Sequence, residues 1–416
     1  MKKKILLKGP VLTRSGYGEQ ARFALRALRS RPDVFDVFIQ PIQWGMTSWL
    51  IESSEERLWI DQTIEKSIAY LQQGGRFDLS LQVTIPNEWE KLAPINIGYT
   101  AGMETTKVAH QWLQKGNEMD KIIVVSSHSL NVFKSSEYQG INNQTQESVR
   151  LSLQTPISYV NYPVKTYDNL EEISLDLSTD TNFLVVAQMG PRKNVHNTIK
   201  WFLEEFKDEE VGLVVKTNKA KNCLMDRELI NHEMTQLVRS VPHTKAKVYL
   251  LHGDMTDEEM HALYRNPKIS ALLALPHGEG FGLPIFEAAY SGLPVVATGW
   301  SGQLDFLVDE KGEDNFYNVA FDLQAIPKEV LWEGVIVKES MWAYPREASA
   351  KTKMRKCYED LQNNESYASS ACEYAEILKE RFSPEKLYHE FVNNVVSLDE
   401  IEAMKTEVED LLSDLL

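Results

Sequence analysis

Short apolar runs alternate with amphipathic segments along most of this 416-residue chain. After the first apolar run, apolar residues recur at the i, i+3, i+4 and i+7 positions of a helix: Ala21, Ala24, Leu25 and Leu28. The runs that predict strands in the first half are Ile5–Leu7, Val34–Ile39, Leu79–Val83, Ile95–Tyr99, Ile122–Val125 and Ile157–Val160.

The second half repeats this alternation. Its predicted strands are Phe183–Ala187, Val211–Val215, Val248–Leu251, Ile269–Leu275 and Val295–Ala297. A helical pattern lies between the first two of them, at Val195, Ile199, Phe202, Leu203 and Phe206. Strands that alternate with helices favour parallel sheets covered by helices on both faces, so the sequence predicts an α/β fold.

The length and the two repeated halves predict two domains, each resembling a Rossmann fold, that face a central cleft. We expect an N-terminal acceptor domain at residues 1–170 and a C-terminal donor-binding domain at residues 180–382, followed by helices at 383–416 that pack back on the body. A small dimer helix is the alternative for this last segment. Ligands of open parallel sheets bind beyond the carboxyl ends of the strands, where most candidate residues lie.

The charge distribution limits the possible partners. The net charge of −16 argues against a nucleic-acid-binding role for the whole protein. Residues 1–40, however, carry nine basic and three acidic side chains, so the N-terminal face alone could attract a polyanionic acceptor. Within this region Arg22, Arg26 and Arg29 form a stripe on the predicted helix, either as a solvated face or as an electrostatic guide.

Cysteine spacing and hydropathy favour a soluble cytoplasmic protein. Cys223, Cys357 and Cys372 show neither metal-ligand nor disulfide spacing, which fits a reducing compartment. The apolar run Ile5–Leu7 ends at Lys8, so we interpret it as a strand rather than an export signal. No segment approaches the roughly 20 apolar residues of a membrane span.

The most informative segment follows the predicted strand Ile269–Leu275. Pro284 suits the start of a helix, where the missing N–H of proline costs nothing. The amides of Gly282 and Leu283 are then free to bind an anion at the positive end of the helix dipole. Two carboxylates flank this turn, Glu279 in the loop and Glu287 one turn inside the helix, and they would bind hydroxyl groups of a sugar nucleotide.

This segment resembles the signature of the large retaining glycosyltransferase family of the GT-B fold, the glycogen-synthase and mannosyltransferase type (glycosyltransferase group 1). The resemblance rests on the Glu279-x7-Glu287 spacing, the Gly-Phe-Gly-Leu-Pro turn that contains Phe281, and the following Gly292–Thr298 strand. It implies the GT-B fold and transfer of a hexose or pentose from a nucleotide sugar with retention of configuration. It further implies that no metal or other cofactor is bound.

Cations near the predicted cleft are candidates for binding the diphosphate. Transfer builds negative charge on the departing diphosphate, which fixed cations stabilise. Lys193 matches the lysine of the family pattern Gly-Arg-x4-Lys, but the arginine of that pattern falls on Gln188. Either Arg192 supplies the second charge, or one lysine and backbone dipoles suffice. Lys216, at the end of the next strand, is a further donor-binding candidate.

The resemblance assigns the remaining donor contacts. It implies that Glu279 contacts donor-sugar hydroxyls and acts with Lys193 in catalysis, and that Glu287 accepts hydrogen bonds from both ribose hydroxyls. Phe281, Gly282 and Leu283 belong to the same donor-binding segment.

Candidates on the acceptor side lie in the first half. The loop Thr13–Glu19 contains Arg14 and Gly16 and is similar to the family's glycine-rich loop, which approaches the diphosphate and the acceptor. Glu104 and His128 follow later strands and could receive the acceptor proton. For His128, an ordinary hydrogen-bonding role is the alternative.

We therefore expect a retaining glycosyltransferase that works without a metal. The alternatives are a sugar-nucleotide epimerase or hydrolase of the same fold, and a binding protein without catalysis. The acceptor is a glycan, a lipid-linked glycan or a hydroxylated base in DNA, and a weak homodimer is a further possibility.

Overall fold

The computed structural model describes residues 2–45, 47–141, 148–167, 170–364 and 366–399. Among these residues, the first half contains eight strands and four α-helices: β1 Lys3–Gly9, α1 Gly16–Arg29, β2 Phe35–Pro41, α2 Glu55–Gln72, β3 Leu79–Val83, β4 Ile95–Thr100, α3 His110–Gly116, β5 Lys121–Val124, α4 Ser127–Ser135, β6 Glu137–Ile141, β7 Ser148–Ser152 and β8 Ile157–Tyr159. Six of these strands form a parallel sheet in the order β2-β1-β3-β4-β5-β8.

The second half contains a matching parallel sheet and most of the helices. Its elements are β9 Thr181–Val186, α5 Val195–Glu205, β10 Val211–Lys216, α6 Leu224–Ser240, β11 Lys247–Leu251, α7 Asp257–Tyr264, β12 Ala271–Ala274, α8 Leu283–Tyr290, β13 Val295–Thr298, α9 Leu304–Leu307, β14 Tyr317–Val319, β15 Phe321–Ala325, β16 Met341–Pro345, α10 Glu347–Asn363, α11 Ser366–Arg381 and α12 Pro384–Val395. The sheet order is β11-β10-β9-β12-β13-β14, and all of its pairs are parallel.

The strand interiors explain why these sheets form. Strand β3 is buried at every residue, as expected for a parallel sheet covered on both faces. Its two polar side chains are satisfied internally: Ser80 Oγ donates to Asn96 Oδ1 at 2.8 Å, and Gln82 Nε2 donates to the Glu90 carbonyl at 2.6 Å. All eleven predicted strands overlap observed ones, so the α/β prediction is confirmed.

The C-terminal helix α12 packs on the N-terminal half. Phe391 of α12 contacts Phe23 of α1 at a ring-centroid distance of 5.1 Å and Tyr99 of β4 at 5.0 Å. The chain thus returns to the first sheet after completing the second. The predicted dimer helix falls largely on residues 400–416, which lie outside the described part of the chain.

An antiparallel hairpin, β15 with β16, was missed by the sequence analysis. The segment between its strands reaches the first domain, where Asn87 Nδ2 donates to the Gly334 carbonyl at 3.0 Å. At the base of the hairpin, the Thr106 amide donates to the Met341 carbonyl at 3.2 Å. We call residues 320–345 the arm; it links the C-terminal domain to the N-terminal domain.

A carboxylate of the second domain also caps a helix of the first. Asp305 of α9 accepts hydrogen bonds from the Ser127 amide at 2.8 Å, from the Ser127 hydroxyl, and from Asn161 Nδ2 at 2.9 Å. A carboxylate at a helix N-terminus is favoured by the helix dipole. Asp305 therefore fixes the two domains relative to each other.

Replacing Asp305 with alanine is expected to lower the free energy of unfolding by about 2 kcal/mol, because hydrogen bonds to a charged group are lost across a partly buried interface. Urea denaturation would measure this. Asp322→Ala is the control, since Asp322 pairs with Arg346 on the surface and such pairs contribute less than about 1 kcal/mol. Equal effects of the two substitutions would contradict the role of Asp305.

Candidate functional site

The loop between β12 and α8 passes close to the first domain. Gly278 has φ 154°, and a Cβ atom there would lie 2.5 Å from the Glu104 carbonyl oxygen and 2.7 Å from the Trp300 ring. A Cβ on Gly280 would lie 2.8 Å from the Ala101 carbonyl oxygen. Glycine is needed at these positions because any side chain would push the two domains apart.

Glu279 lies at the centre of this loop and is almost fully buried. Its carboxylate accepts a hydrogen bond from Lys193 Nζ at 2.5 Å through Oε1 and from Arg192 Nη1 at 3.0 Å through Oε2. Arg192 Nη1 also donates to the Gly278 carbonyl at 2.7 Å. The structure thus brings together both cations predicted after β9 and the loop carboxylate predicted before α8.

The charges in this cluster keep Glu279 ionised. Burial disfavours the charged form of its carboxyl group, but the positive charges of Lys193 and Arg192 outweigh burial and lower its pKa. Arg192 also reaches Glu104 of the first domain, with 3.2 Å between Nη2 and Oε1. Arg192 therefore bridges the two domains across the cleft.

Gln188, the position of the family arginine, is not part of this cluster. Its Nε2 atom donates to the Lys219 carbonyl at 2.7 Å, and the residue is exposed. Arg192, by contrast, contacts Glu279 directly. The charge missing at position 188 is therefore present in the cleft at position 192.

Helix α8 begins as the sequence predicts, with one shift of position. Gly282 is the N-cap with φ 96° and ψ 55°, so Leu283 rather than Pro284 is the first helical residue. The amides of Gly282 and Leu283 lie at this helix start, where amides have no acceptor within the helix.

The Phe281 side chain is buried among Tyr162, Phe286 and Phe306, at ring-centroid distances of 4.9–5.2 Å. Its ring therefore belongs to the hydrophobic core, and only its backbone faces the loop.

Glu287 lies one turn inside α8, as predicted. Tyr264 donates its hydroxyl to Glu287 Oε2 at 3.1 Å. Burial, together with the negative charges of Asp257 and Glu19, raises the pKa of Glu287 to about 7, although Lys165 acts in the opposite direction. The residue is therefore partly protonated at neutral pH in the free protein.

Lys165 connects this side of the cleft to helix α1. Its Nζ atom contacts Glu19 Oε1 at 2.9 Å and Asp257 Oδ2 at 2.6 Å. Burial disfavours its charge, but the two carboxylates outweigh this and raise its pKa. Lys165 could not be predicted from the sequence because no strand end or motif marks it, and only the fold places it beside α7 and α8.

The raised pKa of Glu287 predicts a pH-dependent stability. The folded protein retains this proton up to about pH 7, whereas the unfolded chain loses it near its usual pKa of 4.5. The contribution of Glu287 to stability must therefore fall as the pH rises from 4.5 to 7. We expect the free energy of unfolding of the wild type, relative to Glu287→Gln, to fall by about 2 kcal/mol over this range.

Urea denaturation at about pH 4.5 and pH 8 would measure this difference. Exposed Glu228 provides the control, since Glu228→Gln should track the wild type at both pH values. If the free energies of unfolding of the wild type and of Glu287→Gln change equally between the two pH values, the prediction is wrong.

Lys216 and Arg14 reach the same loop from opposite domains. Lys216 Nζ donates to the Gly253 carbonyl at 2.5 Å, and Arg14 Nη1 donates to the Met255 carbonyl at 3.0 Å. Burial and the charge of Arg14 lower the pKa of Lys216, while Asp254 opposes this shift. Both predicted residues therefore lie at the cleft, beside the loop after β11 rather than in contact with Glu279.

The loop before α1 has the expected turn, but its glycines differ in role. Ser15 caps α1 by accepting a hydrogen bond from the Gly18 amide at 2.9 Å. A Cβ on Gly18 would lie 2.0 Å from the Thr13 carbonyl oxygen, so packing requires glycine there. A Cβ on Gly16 would have no neighbour within 4 Å, which leaves the backbone at Gly16 open on that side.

The arginine stripe on α1 is not the solvated face or electrostatic guide that the sequence suggested. Arg22 is buried and donates to the Val11 and Thr13 carbonyls, and Arg26 pairs with Glu19 at 2.8 Å. Of the three, only Arg29 is exposed, and its guanidinium lies 5.0 Å from the Trp59 ring. The charges of Arg22 and Arg26 are thus paired with Glu19 inside the fold.

His128 lies at the first turn of α4, beside the cleft. Burial lowers its pKa to about 4, although the carbonyls of Thr105 and Met103 favour the charged form, so the imidazole is neutral at pH 7. Its Nε2 atom is buried and has no hydrogen-bond partner in the described part of the chain. The ring lies edge-on to Trp300, with 4.8 Å between centroids.

Two negative observations apply to the described residues. None of their helices is long and apolar enough to cross a bilayer. Nor do their His, Cys, Asp and Glu side chains form a group of three or more that could bind a metal ion. Catalysis without a metal, a cytoplasmic location and a weak homodimer remain predictions.

Part of the chain is similar to known glycosyltransferases. Residues 168–319 match the family model described as glycosyl transferases group 1. A serotype-specific mannosyltransferase, WbdA of Escherichia coli, is 30% identical over 132 residues. That alignment covers 31% of this chain but only 15% of the relative.

Solved structures confirm the GT-B fold over nearly the whole chain. HepE of Anabaena, solved in complex with UDP and glucose, superposes with a TM-score of 0.61 at 14% identity and covers 95% of this chain and 100% of HepE. Sucrose-phosphate synthase from Thermosynechococcus elongatus superposes with a TM-score of 0.58 at 13% identity, covering 96% of this chain and 100% of the synthase. The predicted two-domain GT-B architecture is therefore confirmed.

Proposed function

We propose that this protein transfers a sugar from a nucleotide-sugar donor to a hydroxyl group of a glycan, with retention of anomeric configuration. The observation that carries the proposal is the cluster of the partly buried Lys193 and Arg192 around the buried Glu279, beside the start of α8. Two cations and a helix N-terminus in a cleft between two domains suit a diphosphate leaving group. The family match over residues 168–319 and the UDP and glucose in HepE support this proposal.

Each residue of the donor side has a role in this reaction. Lys193 and Arg192 stabilise the negative charge that develops on the diphosphate, and the amides of Gly282 and Leu283 assist. Glu279 holds the two cations in place and orients donor-sugar hydroxyls. Glu287 accepts hydrogen bonds from the ribose hydroxyls, which favours its ionised form.

The reaction course follows from the family resemblance. A front-face transfer lets the leaving phosphate take the acceptor proton, so the enzyme needs no separate base. Glu104 and His128 then orient the acceptor rather than deprotonate it. Lys216 and Arg14 lie farther along the cleft, where they would contact the nucleoside end of the donor.

A glycan acceptor fits this protein better than a base in DNA. DNA binding depends on exposed cations that contact phosphates. Here Arg22 and Arg26 are held by Glu19, and Lys8 pairs with Glu90 at 2.5 Å. A lipid-linked glycan is one form of the proposed acceptor.

A thermal-shift screen of UDP-, GDP- and ADP-sugars tests the donor assignment, because a bound donor raises the melting temperature by mass action. The stabilising donor is then incubated with and without candidate glycans, and the products are followed by proton NMR. Acceptor-dependent transfer with an unchanged anomeric configuration supports the proposal. Consumption of the donor without acceptor indicates an epimerase or hydrolase, and binding without turnover indicates a non-catalytic protein.

A further inference from the structure

Trp300 lies in a short loop that is tied to the catalytic segment. Ser301, the next residue, has φ 79°, which is unusual for a residue other than glycine. Its Oγ atom accepts a hydrogen bond from the Glu279 amide at 2.8 Å and donates to Gln303 Oε1 at 2.9 Å. The Gly302 amide donates to the Glu279 carbonyl at 3.0 Å. The position of Trp300 is therefore coupled to that of Glu279.

The Trp300 ring is half-buried and has neighbours from both domains. One edge lies against Gly278, beside Glu104, and His128 of the first domain meets the ring at an interplanar angle of 75°. Phe321 of the arm lies 6.2 Å away between centroids. Trp300 thus stands on the acceptor side of Glu279, whereas Glu287 and the start of α8 lie on the donor side.

We propose that Trp300 is the platform on which a neutral sugar ring of the acceptor glycan stacks, and that His128 Nε2 accepts a hydrogen bond from one of its hydroxyls. This inference rests on the proposed function and names its acceptor subsite. An indole face packs well against the apolar C–H face of a pyranose, since both surfaces are removed from water. The buried Nε2 atom without a partner supplies the polar contact that fixes orientation.

The surrounding charges favour a neutral ring over a nucleotide of DNA. Glu104 lies beside Trp300 at Gly278, and Arg192 contacts both Glu104 and Glu279. In the proposed function Arg192 serves the donor diphosphate and is shared between these two carboxylates, so it is not assigned to an acceptor phosphate. A pyranose needs only an apolar face and hydrogen-bonding groups, and both are present here.

Saturation-transfer NMR on the full chain tests this subsite without knowledge of the natural acceptor. The probes are the methyl α-glycosides of mannose, glucose, galactose and N-acetylglucosamine, added to the free protein. The variants are Trp300→Ala, Trp300→Phe and His128→Phe, and the control is Trp332→Ala, an exposed tryptophan on the arm. Melting temperatures identify any variant that fails to fold. If Trp300→Ala fails to fold, glycoside binding by Trp300→Phe, which keeps an aromatic ring, tests the subsite instead.

We expect ring-proton saturation of at least one glycoside with the wild type and with Trp332→Ala. Apparent affinity should fall at least about fivefold in Trp300→Ala, consistent with the loss of one stacking contact, and less in Trp300→Phe. His128→Phe, which keeps a ring but lacks Nε2, should also bind more weakly. Binding of the stabilising nucleotide sugar should be unchanged in all variants.

Three results would overturn the proposed subsite. No glycoside shows saturation, saturation does not depend on Trp300, or Trp300→Ala weakens binding of the nucleotide sugar instead of binding of the glycoside. Binding of short single-stranded DNA that depends on Trp300, without glycoside binding, would also overturn it in favour of a base-stacking role. Failure of the proposed function is distinguishable, because it appears as a wild type that binds no nucleotide sugar.

Discussion

Replacing Lys193 with alanine is expected to slow sugar transfer by about 10²- to 10³-fold at saturating donor and acceptor. Lys193 Nζ lies 2.5 Å from Glu279 Oε1, and the lysine side chain is only 20% exposed. Losing one preorganised group that stabilises transition-state charge raises the barrier by roughly 2.7–4 kcal/mol. The effect should fall mainly on kcat, because the charge on the diphosphate grows as the glycosidic bond breaks.

Initial rates with the donor found in the thermal-shift screen would measure this loss. Lys200→Ala is one control, since Lys200 lies on the exposed side of α5 at 3.8 Å from Glu204. Gln188→Ala is the second, because Gln188 occupies the family arginine position yet lies outside the cluster. Normal turnover of Lys193→Ala, or an equal loss in Gln188→Ala, would show that the diphosphate is bound elsewhere.

Glu279 should also contribute strongly to the stability of the folded protein. Glu279→Gln is expected to lower the free energy of unfolding by about 3 kcal/mol at neutral pH, because it leaves the partly buried Lys193 and Arg192 without their shared counter-charge. The loss stays at the low end of the range for a broken buried pair, since Arg192 retains Glu104 as a partner. Urea denaturation followed by circular dichroism would measure it, with exposed Glu310→Gln as the control.

The pH dependence of this effect has a definite sign. The folded pKa of Glu279 is depressed, so its stabilising contribution is present above the usual pKa of 4.5 and disappears as the pH falls through the lower folded value. The stability gap between the wild type and Glu279→Gln should therefore close on acidification below about pH 4.5. A gap that persists unchanged in acid would mean that the loss comes from packing rather than from charge.

Much of the candidate site could be predicted because it lies where strands end. Lys193 follows β9 and Glu279 follows β12, and these strands are neighbours in the second sheet. Parallel strands present their carboxyl ends at one edge, so side chains far apart in sequence meet there. Glu287 was predictable for a local reason, since a helix that begins near Pro284 places it one turn later.

Other features depended on contacts that no local pattern encodes. Phe281 belongs to the signature turn, yet its ring packs against Tyr162 of the other domain. The arginines of α1 look like a solvated stripe at helical spacing, but Arg22 and Arg26 pair with Glu19 and Glu56, and only Arg29 is exposed. Trp300 and Lys165 acquire their neighbours only when the two domains meet.

Hydrophobic periodicity and turn chemistry act over a few residues, so the chain alone was enough to predict two parallel sheets, the succession of strands and helices along the chain, and the carboxylates and cations at the strand ends. Only the tertiary structure decided that Arg192 rather than residue 188 joins Lys193, that burial raises the pKa of Glu287, and that Trp300 faces His128. These properties arise from distances between domains and from exclusion of water, which depend on how distant segments pack.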